Sequence, residues 1–134
     1  WAAGTIWSAW ALGLGAKEVV GRARPVLEDA VSTVPGASFP SGHAMNAAAV
    51  GVTLSVLVWP LLGRRGHVAV VGGATALALV TAADRVLLGA HYPSDVVGGI
   101  LLGGAVAGAS AVGYHGWNAA RSGRPSGDTP RNEV

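Results

Sequence analysis

The sequence predicts an all-α integral membrane helical bundle, and three observations carry that prediction. Only 12% of the 134 residues are charged and 51% are hydrophobic, whereas an ordinary soluble domain is about 25% charged. Long uncharged stretches recur: residues 44–62 and 96–114 hold 19 each, and residues 68–83 hold 16. A helix needs about 20 apolar residues to cross a bilayer, and none of these stretches carries the polar stripe of a soluble surface helix. The 21 glycines match the small-residue composition of closely packed membrane helices.

The same numbers exclude other classes. Nine basic against seven acidic residues do not make a nucleic-acid-binding module, and the mean hydropathy of +0.46 is not that of a disordered chain. Without cysteine there is no disulfide framework, thiolate metal site or cysteine nucleophile.

Taken in order, residues 1–16 form a first apolar stretch that starts with neither a methionine nor a basic flank. It reads as a span cut short in a fragment, with no signal-peptide pattern. Residues 17–40 are a polar connection that includes the run Val34-Pro35-Gly36-Ala37-Ser38. Spans two and three, joined by a tight turn at residues 63–67, are followed by a polar corner at residues 84–95 and a fourth span. The expected organisation is a membrane domain over residues 1–117 and a disordered cytoplasmic tail over residues 118–134, which is rich in Gly, Pro, Ser and Arg.

Four crossings put residues 17–40 and 84–95 on one membrane face, and the 63–67 turn and the tail on the other. Lys17, Arg22, Arg24 and Arg85 lie on the first face; Arg64, Arg65, Arg121, Arg124 and Arg131 lie on the second. With Lys17, Arg24 and Arg85 assigned to a site, the positive-inside rule makes the second face cytoplasmic. Trp59 and Trp117 fall near that edge, as an aromatic belt requires. Gly99 and Gly103, and Gly104 and Gly108, are spaced to line close helix contacts. Trp7 and Trp10 read as packing or lipid contact, Arg22 as a solvated charge, and His67 and His115 as interfacial residues on the wrong face for the site.

Three polar clusters remain. Lys17 and Arg24, seven residues apart, would share one helix face if the helix continued through Gly21. Ser41 is a natural N-cap for the second span, Gly42 permits close backbone approach, and the amides of that first turn, with His43 in it, form an anion site. In the third cluster Gly89 can end one helix and Pro93 begin the next. His91 and Asp95 are four positions apart, so a carboxylate–imidazole hydrogen bond that fixes the tautomer is expected. His43, His91 and Asp95 could also form a zinc site, but the three nearby cations would repel a metal and attract an anion. The two spans and one turn between His43 and Asp84 return the chain to the same face, so the clusters converge. Such a concentration of charge near lipid is costly without a purpose, and it describes a phosphate-transfer site.

Lys17, six residues, then Arg24-Pro25; Pro40-Ser41-Gly42-His43; and Arg85, five residues, His91, three residues, Asp95 resemble the three-part signature of the type 2 phosphatidic acid phosphatase family. One departure is Asp84, where the family usually has serine. It is expected to act as an electrostatic brake on anion binding, the alternative being a clamp that holds Arg85 or Lys17.

The resemblance implies a six-span core, of which about two spans would precede Trp1. It also implies roles: His91 as nucleophile forming a phosphohistidine, Asp95 orienting it, and His43 protonating the leaving oxygen and then activating water. Lys17, Arg24 and Arg85 would hold the phosphoryl oxygens with Ser41 and the Gly42 amide. Fixed cations and amides supply the charge stabilisation that phosphoryl transfer requires, so no metal or other cofactor is expected.

The implied activity is metal-independent hydrolysis of a lipid phosphate or diphosphate at the extracytoplasmic face. The partners would be that lipid substrate and the surrounding membrane lipids, with no nucleic acid. Ala, Gly, Val and Arg usage fits a GC-rich bacterium, which places the chain in a bacterial plasma membrane. Undecaprenyl diphosphate, phosphatidylglycerol phosphate and phosphatidate are the substrate types implied. A soluble vanadate-binding haloperoxidase shares the signature but not the spans. A non-catalytic lipid-phosphate binding or transport protein on the same scaffold is the alternative from another class.

Overall fold

The computed structural model describes residues 1–26 and 35–122. Four helices follow one another: α1 (Ala2–Val20), α2 (Gly42–Val58), α3 (Arg64–Leu87) and α4 (Pro93–Ser122), with a 3₁₀ turn at Trp59–Leu61 after α2. Among the described residues there is no strand. The expected all-α bundle is what the chain forms.

Three segments are long and apolar enough to cross a membrane: Gly42–Leu61, Arg64–Leu87 and Pro93–Ser122. The expected first span is a helix of 19 residues, about 28 Å long, but it is not among those three. Thr5, Ser8, Lys17 and Glu18 interrupt its apolar character. Four spans were expected, and three meet the requirement.

The α2–α4 interface is the most extensive, and α1 packs on both helices. The core is correspondingly built from small side chains, Ala9, Ala49 and Ala107 around Met45. Gly99 and Gly103 make this closeness possible. A Cβ on Gly99 would lie 2.5 Å from the Ser41 carbonyl oxygen, and one on Gly103 would collide with the Met45 carbonyl. Gly104 and Gly108 face nothing within 4 Å, so only the first of the two expected glycine pairs lines a close contact.

Helix α3 is peripheral. Ala78 is its only buried residue, while Val68, Val71, Leu77, Leu79 and Val80 are exposed. Such a band is an aggregation hazard in water and a normal surface in lipid.

Two caps aim the functional segments. Helix α1 stops because Gly21 takes the left-handed conformation, φ 57°, and its N–H bonds the Lys17 carbonyl at 2.9 Å. Lys17 and Arg24 therefore do not share a helix face; Arg24 lies on the extended segment beyond the cap. After α3, Gly89 (φ 67°) turns the chain, and Pro93 opens α4 as expected. At its other end α4 runs through Ser122. Residues 118–122, expected to be disordered tail, continue the helix. The rest of that tail, with Arg124 and Arg131, and residues 27–34 of the first connection lie outside the described residues.

Candidate active site

The C-terminal ends of α1 and α3 and the N-terminal ends of α2 and α4 meet at one end of the bundle. They enclose a cavity of about 430 Å³ lined by Lys17, Arg24, Gly42, His43, Arg85 and His91. Trp10, Gly13, Leu14 and Met45 form its apolar wall. Six of the eight residues singled out from sequence thus face one space, although 74 positions separate the first from the last. Trp10, read as packing or lipid contact only, belongs to that wall.

Ser41 and Asp95 stand behind the lining, both with no solvent exposure. The Ser41 N–H donates to the Asp95 carbonyl at 2.9 Å, which ties the start of α2 to the start of α4. Ser41 occupies the N-cap position, yet its hydroxyl makes no capping bond and has no hydrogen-bond partner among the described residues. An unpaired buried hydroxyl costs about 1–3 kcal/mol.

Asp95 is held by groups the sequence did not point to. Its Oδ1 accepts a hydrogen bond from Arg22 Nη1 at 2.8 Å; its Oδ2 accepts the Tyr92 N–H at 2.9 Å and the Ser38 hydroxyl. The Arg22 guanidinium lies 4.3 Å from the Tyr92 ring centroid and also donates to Ser94 Oγ at 2.7 Å. Arg22 is therefore the ion-pair partner of a buried carboxylate, not the solvated charge expected.

The expected direct hydrogen bond from His91 to Asp95 is absent, since Nδ1 and Oδ2 are 3.7 Å apart. A separation of 3.7 Å is beyond hydrogen-bond reach. Ser38 Oγ lies 3.5 Å from His91 Nδ1. On the other side of the ring, Nε2 is 3.4 Å from Arg24 Nη1. Burial holds the His91 pKa below that of an ordinary histidine, and the Arg24 and Lys17 charges press it further down against the opposing pull of Asp95 and of the Ser38 backbone. The ring is neutral at neutral pH, so one nitrogen keeps a lone pair.

The cations also assemble the site. Lys17 Nζ donates to the Ala37 carbonyl at 2.8 Å, and Arg24 bonds the Gly36 carbonyl through Nε at 3.1 Å and the Ala90 carbonyl through Nη1 at 2.8 Å. They pin the segment before α2 against the corner between α3 and α4. Arg85 is paired with its neighbour: Asp84 Oδ2 accepts from Nε at 2.7 Å and from Nη2. Asp84 does not line the cavity, which places its charge on the Arg85 fork instead of in the anion's path.

Among the described residues no three His, Cys, Asp or Glu side chains are arranged to hold a metal ion. His43, His91 and Asp95 do not form the zinc set weighed from sequence, because the Asp95 oxygens are turned to Arg22, Ser38 and the Tyr92 amide. The cations, the α2 N-terminus and a neutral imidazole form an arrangement suited to a tetrahedral oxyanion.

This helical bundle, with its cationic cavity, belongs to the PAP2 superfamily, which matches residues 1–119. Phosphatidylglycerophosphatase B of Bacillus subtilis is 36% identical over 91 residues, covering 65% of this chain and 43% of that protein. Lipid A 1-phosphatase of Rhizobium etli is 40% identical over 67 residues, covering 50% of this chain and 25% of that protein. The chain thus spans less than half the length of these curated relatives. The crystal structure of the first transmembrane PAP2-type phosphatidylglycerolphosphate phosphatase from Bacillus subtilis superposes with a TM-score of 0.75 at 31% identity, over 87% of this chain and 58% of that one.

Proposed function

We propose that this chain carries the active site of a membrane phosphatase that hydrolyses a lipid phosphate or diphosphate through a phosphohistidine. The observation that carries this reading is the composition of one cavity. Lys17, Arg24, Arg85, His43 and His91 line it together with Trp10, Leu14 and Met45. Such a cavity matches a ligand that is anionic at one end and apolar at the other.

In this reading the His91 Nε2 lone pair attacks phosphorus, and the bond to the leaving oxygen breaks with its electron pair on oxygen. His43 gives that oxygen a proton. Water then attacks phosphorus, His43 takes a proton from it, and the P–N bond breaks to return the pair to Nε2. Lys17, Arg24, Arg85 and the Gly42 amide stabilise charge on the equatorial oxygens throughout. The unpartnered Ser41 hydroxyl behind Gly42 has a donor to spare for the same anion.

The face is assigned by charge. Arg64, Arg65 and Arg121 lie exposed at the opposite end of the bundle, so the positive-inside rule makes that end cytoplasmic and the cavity extracytoplasmic. A bacterial plasma membrane agrees with the bacterial relatives, whose names supply phosphatidylglycerol phosphate and lipid A 1-phosphate as substrates to test.

The test is phosphate release by the full-length protein from vesicles containing phosphatidylglycerol phosphate, phosphatidate, lipid A or undecaprenyl diphosphate, with and without chelator. Release from at least one lipid, unchanged by exhaustive chelation, is expected. Tight binding of these lipids without any release identifies a binding or transport protein instead. Activity lost in chelator and restored by zinc would overturn the metal-free mechanism.

A further inference from the structure

We propose that Ser38 is a positioning residue for His91, its hydroxyl linking the imidazole to the Asp95 carboxylate that does not reach the ring directly. The proposal rests on His91 being the phosphoryl acceptor. Sequence places Ser38 only at the end of a turn-rich run, with no motif to mark it.

The geometry leaves little freedom. Ser38 is fully buried, so water does not compete for its hydroxyl. Its single proton goes to Asp95 Oδ2. What remains toward His91 Nδ1, 3.5 Å away, is the lone-pair side of the oxygen. Nδ1 is then the protonated ring nitrogen, and the Nε2 lone pair is left beside Arg24 in the cavity. Asp95 Oδ2, the oxygen nearer the ring, already accepts from the Ser38 hydroxyl and the Tyr92 N–H, which fills both of its acceptor directions.

The contact is long in the unreacted site, and such bonds tighten as charge develops. When the Nε2–P bond forms and the P–O bond to the leaving group breaks, positive charge spreads over the ring. Nδ1–H becomes a stronger donor to the Ser38 oxygen, whose O–H stays on Asp95. No proton crosses the relay, and His43 alone supplies the leaving oxygen.

Ser38 is itself fixed from outside the relay. Its N–H donates to the Arg22 carbonyl at 2.7 Å, and Lys17 and Arg24 hold the carbonyls of Ala37 and Gly36 just before it. Residues beside the anion thus also set the tautomer of the nucleophile.

The experiment compares wild type, Ser38→Ala and Ser38→Thr in the full-length protein, using vesicle-bound phosphatidylglycerol phosphate and inorganic vanadate. Ser38→Ala should lower kcat about 30-fold, the loss of one hydrogen bond that strengthens in the transition state, while KM and the vanadate Kd stay within about threefold. Ser38→Thr, which keeps the hydroxyl, should recover kcat to within about fivefold of wild type. A kcat for Ser38→Ala within about threefold of wild type overturns the proposal. So does a parallel loss of kcat, vanadate affinity and Tm, which marks a packing role. If Ser38→Thr does not fold, the acid limb of the kcat/KM profile decides. It must move in Ser38→Ala, and coincidence with wild type overturns the proposal. Should wild type release phosphate from none of the four lipids, the phosphatase reading itself fails, and this one with it.

Discussion

At the cavity end of the bundle, charged side chains are drawn inward and shared. Asp95 has no exposure, and Arg22, Ser38 and Tyr92 all bond to it across as many as 73 positions of sequence. At the opposite end the same residue types stay near the surface and pair singly. His67 stacks on Trp59 with ring centroids 3.8 Å apart and bonds its carbonyl oxygen at 3.0 Å. Trp1 stacks on Tyr114, and its indole N–H reaches Ser110, while Arg64, Arg65, Arg121 and His115 are exposed. Burying charge costs several kcal/mol per ion unless partners are supplied, so evolution tolerates it where chemistry needs it. Tryptophan and arginine at the far end match the composition of a membrane edge.

The contrast breaks most easily at His91. His91→Ala should lower kcat by about four orders of magnitude, as removal of a covalent nucleophile does elsewhere. Turnover within about tenfold of wild type would show that the buried histidine is no different from the others. Burial and the two cations depress its pKa, so the neutral imidazole persists into mildly acidic solution. The acid limb of kcat/KM should accordingly fall below the pH of an ordinary histidine titration, and a limb above it contradicts this assignment.

Arg22 is the next largest effect. Arg22→Ala leaves a buried carboxylate oxygen without its charge partner, though the guanidinium side is itself 38% exposed. Solvent reaching Arg22 discounts the loss, so kcat/KM should fall about tenfold and Tm should drop measurably. If both match wild type, Arg22 is the solvated residue its sequence context implied.

Asp84 gives a smaller change of opposite sign. It holds the Nε and Nη2 donors of Arg85, which a phosphate oxygen would otherwise take. Asp84→Ser should free that fork and tighten vanadate binding about fivefold, the worth of a partly exposed pair. Weaker binding and lower turnover would identify Asp84 as the clamp that keeps Arg85 in place. The smallest effect belongs to the far end: His67→Ala should leave kcat/KM within about twofold of wild type in the same phosphate-release assay. A larger fall would erase the distinction between the two ends.

Much of this was legible in the amino-acid sequence, for identifiable reasons. Uncharged runs long enough to cross a bilayer announce helices, because the bilayer interior accepts little else. Gly89 and Pro93 mark their turns because few residues tolerate those backbone positions. Lys17, Arg24, Gly42, His43, Arg85 and His91 stand out because charge and histidine are rare beside apolar spans, and an even number of crossings brings them together. The first span stands apart: residues 1–16 are uncharged, but the helix they form runs on through Lys17 and Glu18 and is not among the three segments long and apolar enough to cross a membrane.

Only tertiary structure decided who touches whom. Arg22 looked like any juxtamembrane arginine, and Ser38 like any loop serine. Each becomes part of the Asp95 shell because Gly21 ends α1 and sends the chain across the α4 N-terminus. The four-residue spacing of His91 and Asp95 promised a direct bond. Pro93 starts the helix between them, the ring and the carboxylate stop 3.7 Å apart, and the Ser38 hydroxyl sits against both. Residue type and spacing record which groups are worth bringing near a membrane. Hydrogen bonds of about 3 Å depend on the packing of distant segments, and no local pattern in the chain encodes a contact at that precision.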